Sequence, residues 1–148
     1  MIIYLDVCCL NRPFDNLTQD RVRLESEAVL TILSRGETES WTFLNSEVVD
    51  AEVSKIVDGE RRQKVCLVAA MAQSYVLLDE TAEKRALALR ALGFKAFDAL
   101  HVACAEKGHA DILLTTDDHL LRKASQNKAT LDVRVENPVK WLMEAMKE

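Results

Sequence analysis

The feature that most constrains the fold of this chain is a series of short, unbroken apolar runs separated by segments with helical periodicity. Strands that face water on one side alternate apolar and polar residues, whereas unbroken runs are typical of strands covered on both faces. Such strands form parallel sheets whose connections are helices lying on either side. The five runs are residues 2–5, 41–44, 75–78, 112–115 and 133–135.

The segments between the runs carry apolar residues at helical spacing and supply candidate helix caps. Thr81 is a candidate cap for a helix that ends near Gly93, and Asn137 followed by Pro138 is a typical helix start. The alternation of strands and helices predicts a three-layer α/β/α sandwich with a central, mostly parallel five-stranded sheet. No linker or low-complexity segment interrupts the pattern, so we expect one domain over residues 1–148.

Bulk composition narrows the function classes. The apolar runs are far too short to span a bilayer and the first residues lack the basic segment of a signal peptide, so we expect a cytoplasmic protein with no membrane attachment. The four cysteines match neither a disulfide framework nor a zinc spacing. The net charge of −5 is unlike that of most nucleic-acid binders, although acids gathered around metal ions would account for part of it.

One acidic residue is out of place in a segment that is otherwise predicted to be a buried helix. Residues 95–105 are rich in Ala, Leu and Val, and Gly93 and Gly108 lie on either side of them. Asp98 lies near the start of this helix with apolar neighbours before and after it. A carboxylate in such surroundings needs a basic side chain, backbone N–H groups or a metal ion as its partner.

Three further acids come from segments that a parallel sheet would bring near Asp98. Asp6 follows the first apolar run and Asp117 follows the fourth, so both are expected at the carboxyl edge, where parallel sheets bind ligands. Glu52 lies about two turns into the helix after the second run. Each acid alone has an ordinary explanation as a cap or a solvated charge. Together they would repel one another without cations, and an Asp/Glu set without paired His or Cys favours Mg²⁺ or Mn²⁺.

Four short motifs, taken in order, resemble the PIN-domain family of metal-dependent nucleases, which includes ribonuclease toxins of the VapC type. The motifs are residues 3–6 (IYLD), 46–52 (SEVVDAE), 97–103 (FDALHVA) and 114–117 (LTTD). The resemblance implies a five-stranded parallel sheet between helices, in agreement with the pattern above. It also places the four family acids on Asp6, Glu52, Asp98 and Asp117.

The resemblance assigns supporting roles near the first and last acids. The Thr or Ser that begins the last family motif falls on Thr115. The family often has a hydroxyl residue directly after its first acid, where this chain has Val7, and Cys8 or Asn11 is the candidate substitute.

The family also has a second acid two places after the fourth one, where this chain has His119. Asp118 is the nearest substitute. His101 shares a helical face with Asp98, and it either orients that carboxylate or packs as a neutral side chain. Basic side chains near the acids are candidate contacts for a substrate phosphate. They are Arg12 and Lys95.

The leading hypothesis is an Mg²⁺- or Mn²⁺-dependent endoribonuclease in which the four acids act as metal ligands and a metal-activated water hydrolyses the RNA phosphodiester. By resemblance, such a protein is often the toxin of a type II toxin–antitoxin pair, blocked by a small antitoxin protein, and it commonly forms a homodimer. The Val7 and His119 departures suggest a non-catalytic PIN-like binding module instead. A small-molecule phosphohydrolase also fits the acids, but the chain lacks a phosphate-cradling Gly-rich loop.

Overall fold

A fully parallel five-stranded sheet lies at the centre of residues 1–147, the part of the chain described by the computed structural model. The strands lie in the order β3-β2-β1-β4-β5, and each neighbouring pair is parallel. The predicted α/β class and five-stranded parallel sheet are therefore confirmed. The strands are β1 (Ile2–Leu5), β2 (Thr42–Ser46), β3 (Ser74–Val76), β4 (Ile112–Leu114) and β5 (Arg134–Glu136).

Helices flank the sheet, and those that pack together include α2 with α8 and α5 with α6. None of the helices formed by residues 1–147 has the length and apolar character that crossing a lipid bilayer requires. The helices of these residues are α1 (Val7–Asn11), α2 (Asp20–Arg35), α3 (Glu47–Val53), α4 (Gly59–Ala69), α5 (Glu80–Ala91), α6 (Ala96–Lys107), α7 (Asp118–Gln126) and α8 (Pro138–Ala145), with a 3₁₀ turn at Arg12–Phe14.

The order of the strands reverses between β1 and β4. The chain builds β1, β2 and β3 outward in one direction and then returns to place β4 and β5 on the other side of β1. At such a reversal the connections leave the two strands in different directions and open a crevice at the carboxyl edge. Asp6 and Thr115 are the first residues past β1 and β4, so they lie at this crevice.

Local side-chain chemistry explains where several helices begin. Ser46 caps α3 by accepting the N–H of Val49. Asn137 caps α8, as the sequence predicts. The predicted Thr81 cap is wrong, because Asp79 caps α5 and Thr81 falls inside its first turn. The five-residue helix α1 was not predicted, since a helix so short carries no measurable periodicity.

Helix α6 lies close to the sheet because small residues occupy its inner positions. Ala99 and Ala103 are 0% and 2% exposed. Gly108, which ends the helix, continues this close approach. A Cβ atom at Gly108 would overlap the Leu44 side chain and lie 2.8 Å from Cγ2 of Val76.

We expect Gly108→Ala to lower the free energy of unfolding by about 1–3 kcal/mol, the usual cost of forcing an extra carbon into a packed core. Gly59→Ala is the matched control, because its new Cβ would lie 3.4 Å from the guanidinium of Arg62 at a helix start. Urea denaturation followed by circular dichroism measures both variants. A Gly108→Ala protein as stable as the wild type would contradict the close packing of this helix end against β2 and β3.

Candidate metal centre

The backbone of the sheet sets the position of Asp6. Its N–H donates to the carbonyl of Leu114 at 3.0 Å and so continues the β1–β4 pairing by one residue. Its Oδ1 accepts the N–H of Val7 at 2.8 Å, which caps α1, and its Oδ2 accepts the Thr115 hydroxyl at 2.8 Å and the Cys8 thiol at 3.3 Å. The carboxylate is 5% exposed, and these donors fix it in one orientation.

Thr115 joins the first acid to the fourth. While its hydroxyl donates to Asp6, the same oxygen accepts the backbone N–H of Asp117 at 3.1 Å. Asp117 caps α7 through Oδ1, which accepts the N–H groups of His119 and Leu120 at 2.8 and 3.1 Å. The Asp117 carboxylate is therefore held at the carboxyl edge next to β4.

Asp98 lies in the first turn of α6 and is 8% exposed. Within residues 1–147 its Oδ2 is buried and has no hydrogen-bond partner. Burial and, to a smaller extent, the negative charges of Asp6 and Asp117 together raise the pKa of Asp98 to about 6. A bound cation would satisfy an orphaned carboxylate oxygen that is under the negative influence of two other acids, so the residues present fit a metal ion.

Glu52 is hydrogen-bonded to His101, which also lies close to Asp6. Its Oε1 lies 2.6 Å from Nε2 of His101, and Oδ1 of Asp6 lies 3.5 Å from the same nitrogen. The ligand atoms of these three residues all lie within 4.8 Å of one another, which is close enough to share one ion. Burial alone lowers the pKa of His101, but Asp6, the Glu52 hydrogen bond and Asp98 outweigh it, so the pKa lies above its ordinary value.

Helix α3 carries two other acids, and both are engaged away from His101. Oε1 of Glu47 accepts the backbone N–H of Leu78 at 2.7 Å. Asp50 accepts the Tyr75 hydroxyl at 2.6 Å. Glu52 is therefore the acid of this helix whose carboxylate lies near Asp6. Its role as a metal ligand stays a prediction.

Of the two candidate substitutes for the missing hydroxyl, Cys8 donates to Asp6 and Asn11 does not. The Asn11 amide donates instead to the carbonyl of Val7, and its Oδ1 accepts from Arg61 at 3.2 Å. Thr115 supplies the hydroxyl that Val7 lacks. The acid-supporting role of Asn11 stays a prediction.

The remaining predicted site residues differ in whether their charges are already paired with other side chains. Asp118 is held by both terminal nitrogens of Arg21 at 2.8 and 2.9 Å. The guanidinium of Arg12 pairs with Glu25 and with Asp15, each at 2.8 Å. Lys95 is exposed at the start of α6, makes no ion pair within residues 1–147, and its charge acts on Asp98. Contact of Arg12 or Lys95 with a phosphate stays a prediction.

Sequence reasoning missed two features of the centre. The Tyr4 hydroxyl lies 2.6 Å from Nδ1 of His101, and a phenol oxygen inside a strand buried on both faces is a signal that a polar partner must exist. The second feature is a cation over an aromatic ring at the start of α6. The exposed Lys55 places its ammonium 5.1 Å from the ring centroid of Phe97, the neighbour of Asp98.

Comparison with known proteins finds one matching family model and several similar solved structures. The PIN domain profile matches residues 3–126. Similar solved structures include VapBC2 from Rickettsia felis bound to a DNA fragment from their promoter and VapBC-1 from nontypeable Haemophilus influenzae. Their identities to this chain are 19% and 14%, and both have a TM-score of 0.58 over 93% of this chain and 98% of theirs. A search of curated proteins finds no match.

We expect Asp98→Asn to make the metal-free protein more stable at pH 7.5 by about 1–3 kcal/mol, because a carboxylate with a raised pKa is destabilised in the folded state. The pKa rises from 3.8 to about 6 on folding. Above pH 6 the folded and unfolded states both carry the Asp98 charge, so the full cost of burying that charge lowers the free energy of unfolding. Below pH 3.8 the carboxyl group is neutral in both states, and this cost vanishes. The advantage of the variant should therefore shrink between pH 7 and pH 4.

Urea denaturation in EDTA across this pH range measures the effect. Asp132→Asn is the control, because Asp132 is an exposed acid and its replacement should change stability by no more than about 0.5 kcal/mol. A destabilised Asp98→Asn protein at pH 7.5 would show that the Asp98 carboxylate has a partner that stabilises it.

Proposed function

The chain belongs to the PIN domain family, and from that premise we propose that it is a divalent-metal-dependent endoribonuclease. The observation that carries the proposal is a buried, unpartnered oxygen of Asp98 beside the charges of Asp6 and Asp117. Glu52 adds a further carboxylate, and its ligand oxygen lies within 4.8 Å of the ligand atoms of Asp6 and His101. Oxygen donors of this kind suit Mg²⁺ or Mn²⁺, and the crevice at a strand-order reversal is where parallel sheets bind ligands.

Bound Mg²⁺ or Mn²⁺ would supply the positive charge that activates a water and stabilises the phosphodiester during its hydrolysis. The residues of this chain hold the candidate ligands in position before a metal ion binds. Thr115 and Cys8 hold the Asp6 carboxylate, and the buried helix α6 holds Asp98. Ligands fixed in advance by their own hydrogen bonds and packing need no reorganisation when substrate binds.

The surface beside the acids offers contacts for a nucleic-acid strand. Lys95 and Lys55 are exposed cations close to Asp98 and Glu52 in the chain, and the ammonium of Lys55 lies 5.1 Å from the ring centroid of Phe97. Cations that contact phosphates and an aromatic ring on which a base can stack are the usual components of single-strand recognition. These residues support a single-stranded RNA as substrate.

The similarity to VapC-type proteins supports a toxin role and a protein partner. The two solved structures named above are VapBC assemblies, and we propose that a small antitoxin protein likewise binds this chain. A cluster of carboxylates favours a basic side chain of that partner. A homodimer is proposed on the same resemblance.

We expect the purified protein to cleave single-stranded RNA in Mg²⁺ or Mn²⁺ and to be inactive in EDTA. Asp98→Asn should lower kcat/KM by more than about 100-fold, since even outer partners of metal ligands change activity by 10–100-fold. Asp50→Asn is the matched control, because Asp50 lies on the helix of Glu52 but bonds to Tyr75. A fluorescent RNA substrate gives the rates.

The same assay separates the alternative functions. RNA binding without cleavage would favour a binding module, whether or not the protein binds Mn²⁺. Hydrolysis of nucleotide monophosphates without cleavage of RNA would favour a small-molecule phosphohydrolase. Full activity of Asp98→Asn would contradict the metal-ligand assignment.

The partner proposal predicts that a small protein encoded next to this gene co-purifies with the chain and inhibits it. Replacing single Arg or Lys residues of that protein by Ala should identify one whose loss restores RNA cleavage, because the cluster is acidic. Co-expression followed by size-exclusion chromatography with light scattering measures the complex and the oligomeric state. A neighbouring product that neither binds nor inhibits would contradict the toxin assignment while leaving the nuclease assignment intact.

A further inference from the structure

His101 is fully buried, and both of its ring nitrogens contact polar side chains. Nδ1 lies 2.6 Å from the Tyr4 hydroxyl, and Nε2 lies 2.6 Å from Oε1 of Glu52. The Tyr4 hydroxyl in turn lies 2.7 Å from the hydroxyl of Ser46. These four side chains form one hydrogen-bonded chain that runs from the middle of the sheet to the acidic centre.

The donors along this chain are fixed by elementary chemistry. A carboxylate offers only acceptors, so the hydrogen between Glu52 and His101 belongs to Nε2. In the neutral ring Nδ1 is then an acceptor, and the Tyr4 hydroxyl donates to it. In the protonated ring Nδ1 donates to Tyr4, whose hydroxyl turns toward Ser46. The N–H at Nε2 therefore points at Glu52 in both protonation states of the ring.

Glu52 depends on this contact more than the other acids depend on theirs. Its side chain is 34% exposed, and its hydrogen bond to His101 is the one that its carboxylate makes within residues 1–147. A long, partly exposed side chain without such a bond samples several rotamers, and ordering it on metal binding costs conformational entropy. Asp6, by contrast, is held by Val7, Thr115 and Cys8.

A second role for His101 is excluded while this contact is intact. Nε2 also lies 3.5 Å from Oδ1 of Asp6, so the ring is near enough to ligate a shared ion. A nitrogen that ligates a metal carries no hydrogen, so Nε2 cannot both ligate and donate to Glu52. The short contact to Glu52 and the partner on Nδ1 favour the donor.

We propose that His101 is a positioning residue that holds the Glu52 carboxylate toward Asp6, with Tyr4 orienting the ring. This inference rests on the proposed metal-dependent function. His101 acts on the metal through Glu52 and does not touch it. Because outer partners of metal ligands typically change affinity by 10–100-fold, the loss of this donor should weaken metal binding by about that factor.

Isothermal titration of Mn²⁺ into metal-free protein tests the proposal with a matched pair of variants. His101→Gln keeps an amide N–H at about the reach of Nε2, and His101→Met has the same length without a donor. We expect His101→Met to bind Mn²⁺ about 10–100-fold more weakly than His101→Gln. Thermal unfolding of the metal-free variants verifies their folding. His109→Asn, a change in an exposed histidine, should leave the affinity unchanged.

A double-mutant cycle tests whether His101 acts through Glu52. In a Glu52→Gln background, replacing His101 by Met should cause little further loss, because the carboxylate that it positions is gone. A loss of the same factor in both backgrounds would overturn the inference, since His101 would then act independently of Glu52. Equal affinities of His101→Gln and His101→Met would overturn it as well.

Pulsed electron paramagnetic resonance of Mn²⁺, with ¹⁴N- or ¹⁵N-labelled histidine, needs no variant of His101. The protein used carries His119→Gln, because the buried Nε2 of His119 has no hydrogen-bond partner within residues 1–147 and His119 lies two residues after Asp117 in the chain. We expect no coupling from a directly bound imidazole nitrogen, and such a coupling would overturn the positioning role even if both His101 variants failed to fold. Failure of the wild type to bind Mn²⁺ would overturn the proposed function and this inference with it. Wild-type binding without the predicted variant effects would overturn this inference alone.

Discussion

The hydrogen bond from Thr115 to Asp6 joins the ends of the two central strands, and the geometry of the acidic centre depends on it. Leu5 of β1 lies beside Leu114 of β4, so the next residue of each strand emerges at the same point of the sheet. The backbone N–H of Asp6 bonds to Leu114, and that of Thr115 bonds to Glu136 of β5, so neither residue can move without breaking strand pairing. The side-chain bond then transmits this rigidity to both carboxylates, because the Thr115 oxygen also accepts from Asp117.

Two buried acids of this chain show how a structural carboxylate differs from a functional one. Glu25 is 2% exposed and accepts hydrogen bonds from Arg12, Arg21 and Asn137 at 2.7–3.1 Å, so its charge is fully compensated. Asp98 is nearly as buried, yet one of its oxygens has no donor within residues 1–147, and the charges of Asp6 and Asp117 raise its pKa. A fold that can satisfy Glu25 so completely could have satisfied Asp98. That it does not is the physical argument for a ligand there.

The features set by strand ends were predictable from the sequence, and those set by side-chain partners were not. Asp6 follows its apolar run directly and Asp117 follows the fourth run after one residue, so the sheet places both near its carboxyl edge. The choice among Glu47, Asp50 and Glu52 depends on which way each side chain of α3 leaves the helix, and the distant partners Leu78 and Tyr75 decide it.

Arg12 illustrates the same limit. Its guanidinium pairs with Asp15 and with Glu25, the latter 13 residues away on α2, and the sequence does not predict the Glu25 pairing. Side-chain pairing across elements is a property of the packed fold, and no local pattern in the sequence encodes it. The hydrogen bond of His101 to Glu52, which spans 49 residues, is hidden from the sequence for the same reason. Helix α1 is hidden for a different reason, because it is too short for a periodic signal. In the acidic centre, the sheet therefore fixes where the backbone of the acids lies, and the sequence predicts this. Neighbours such as His101 and Cys8 fix the orientation of the carboxylates, and only the packed structure reveals it.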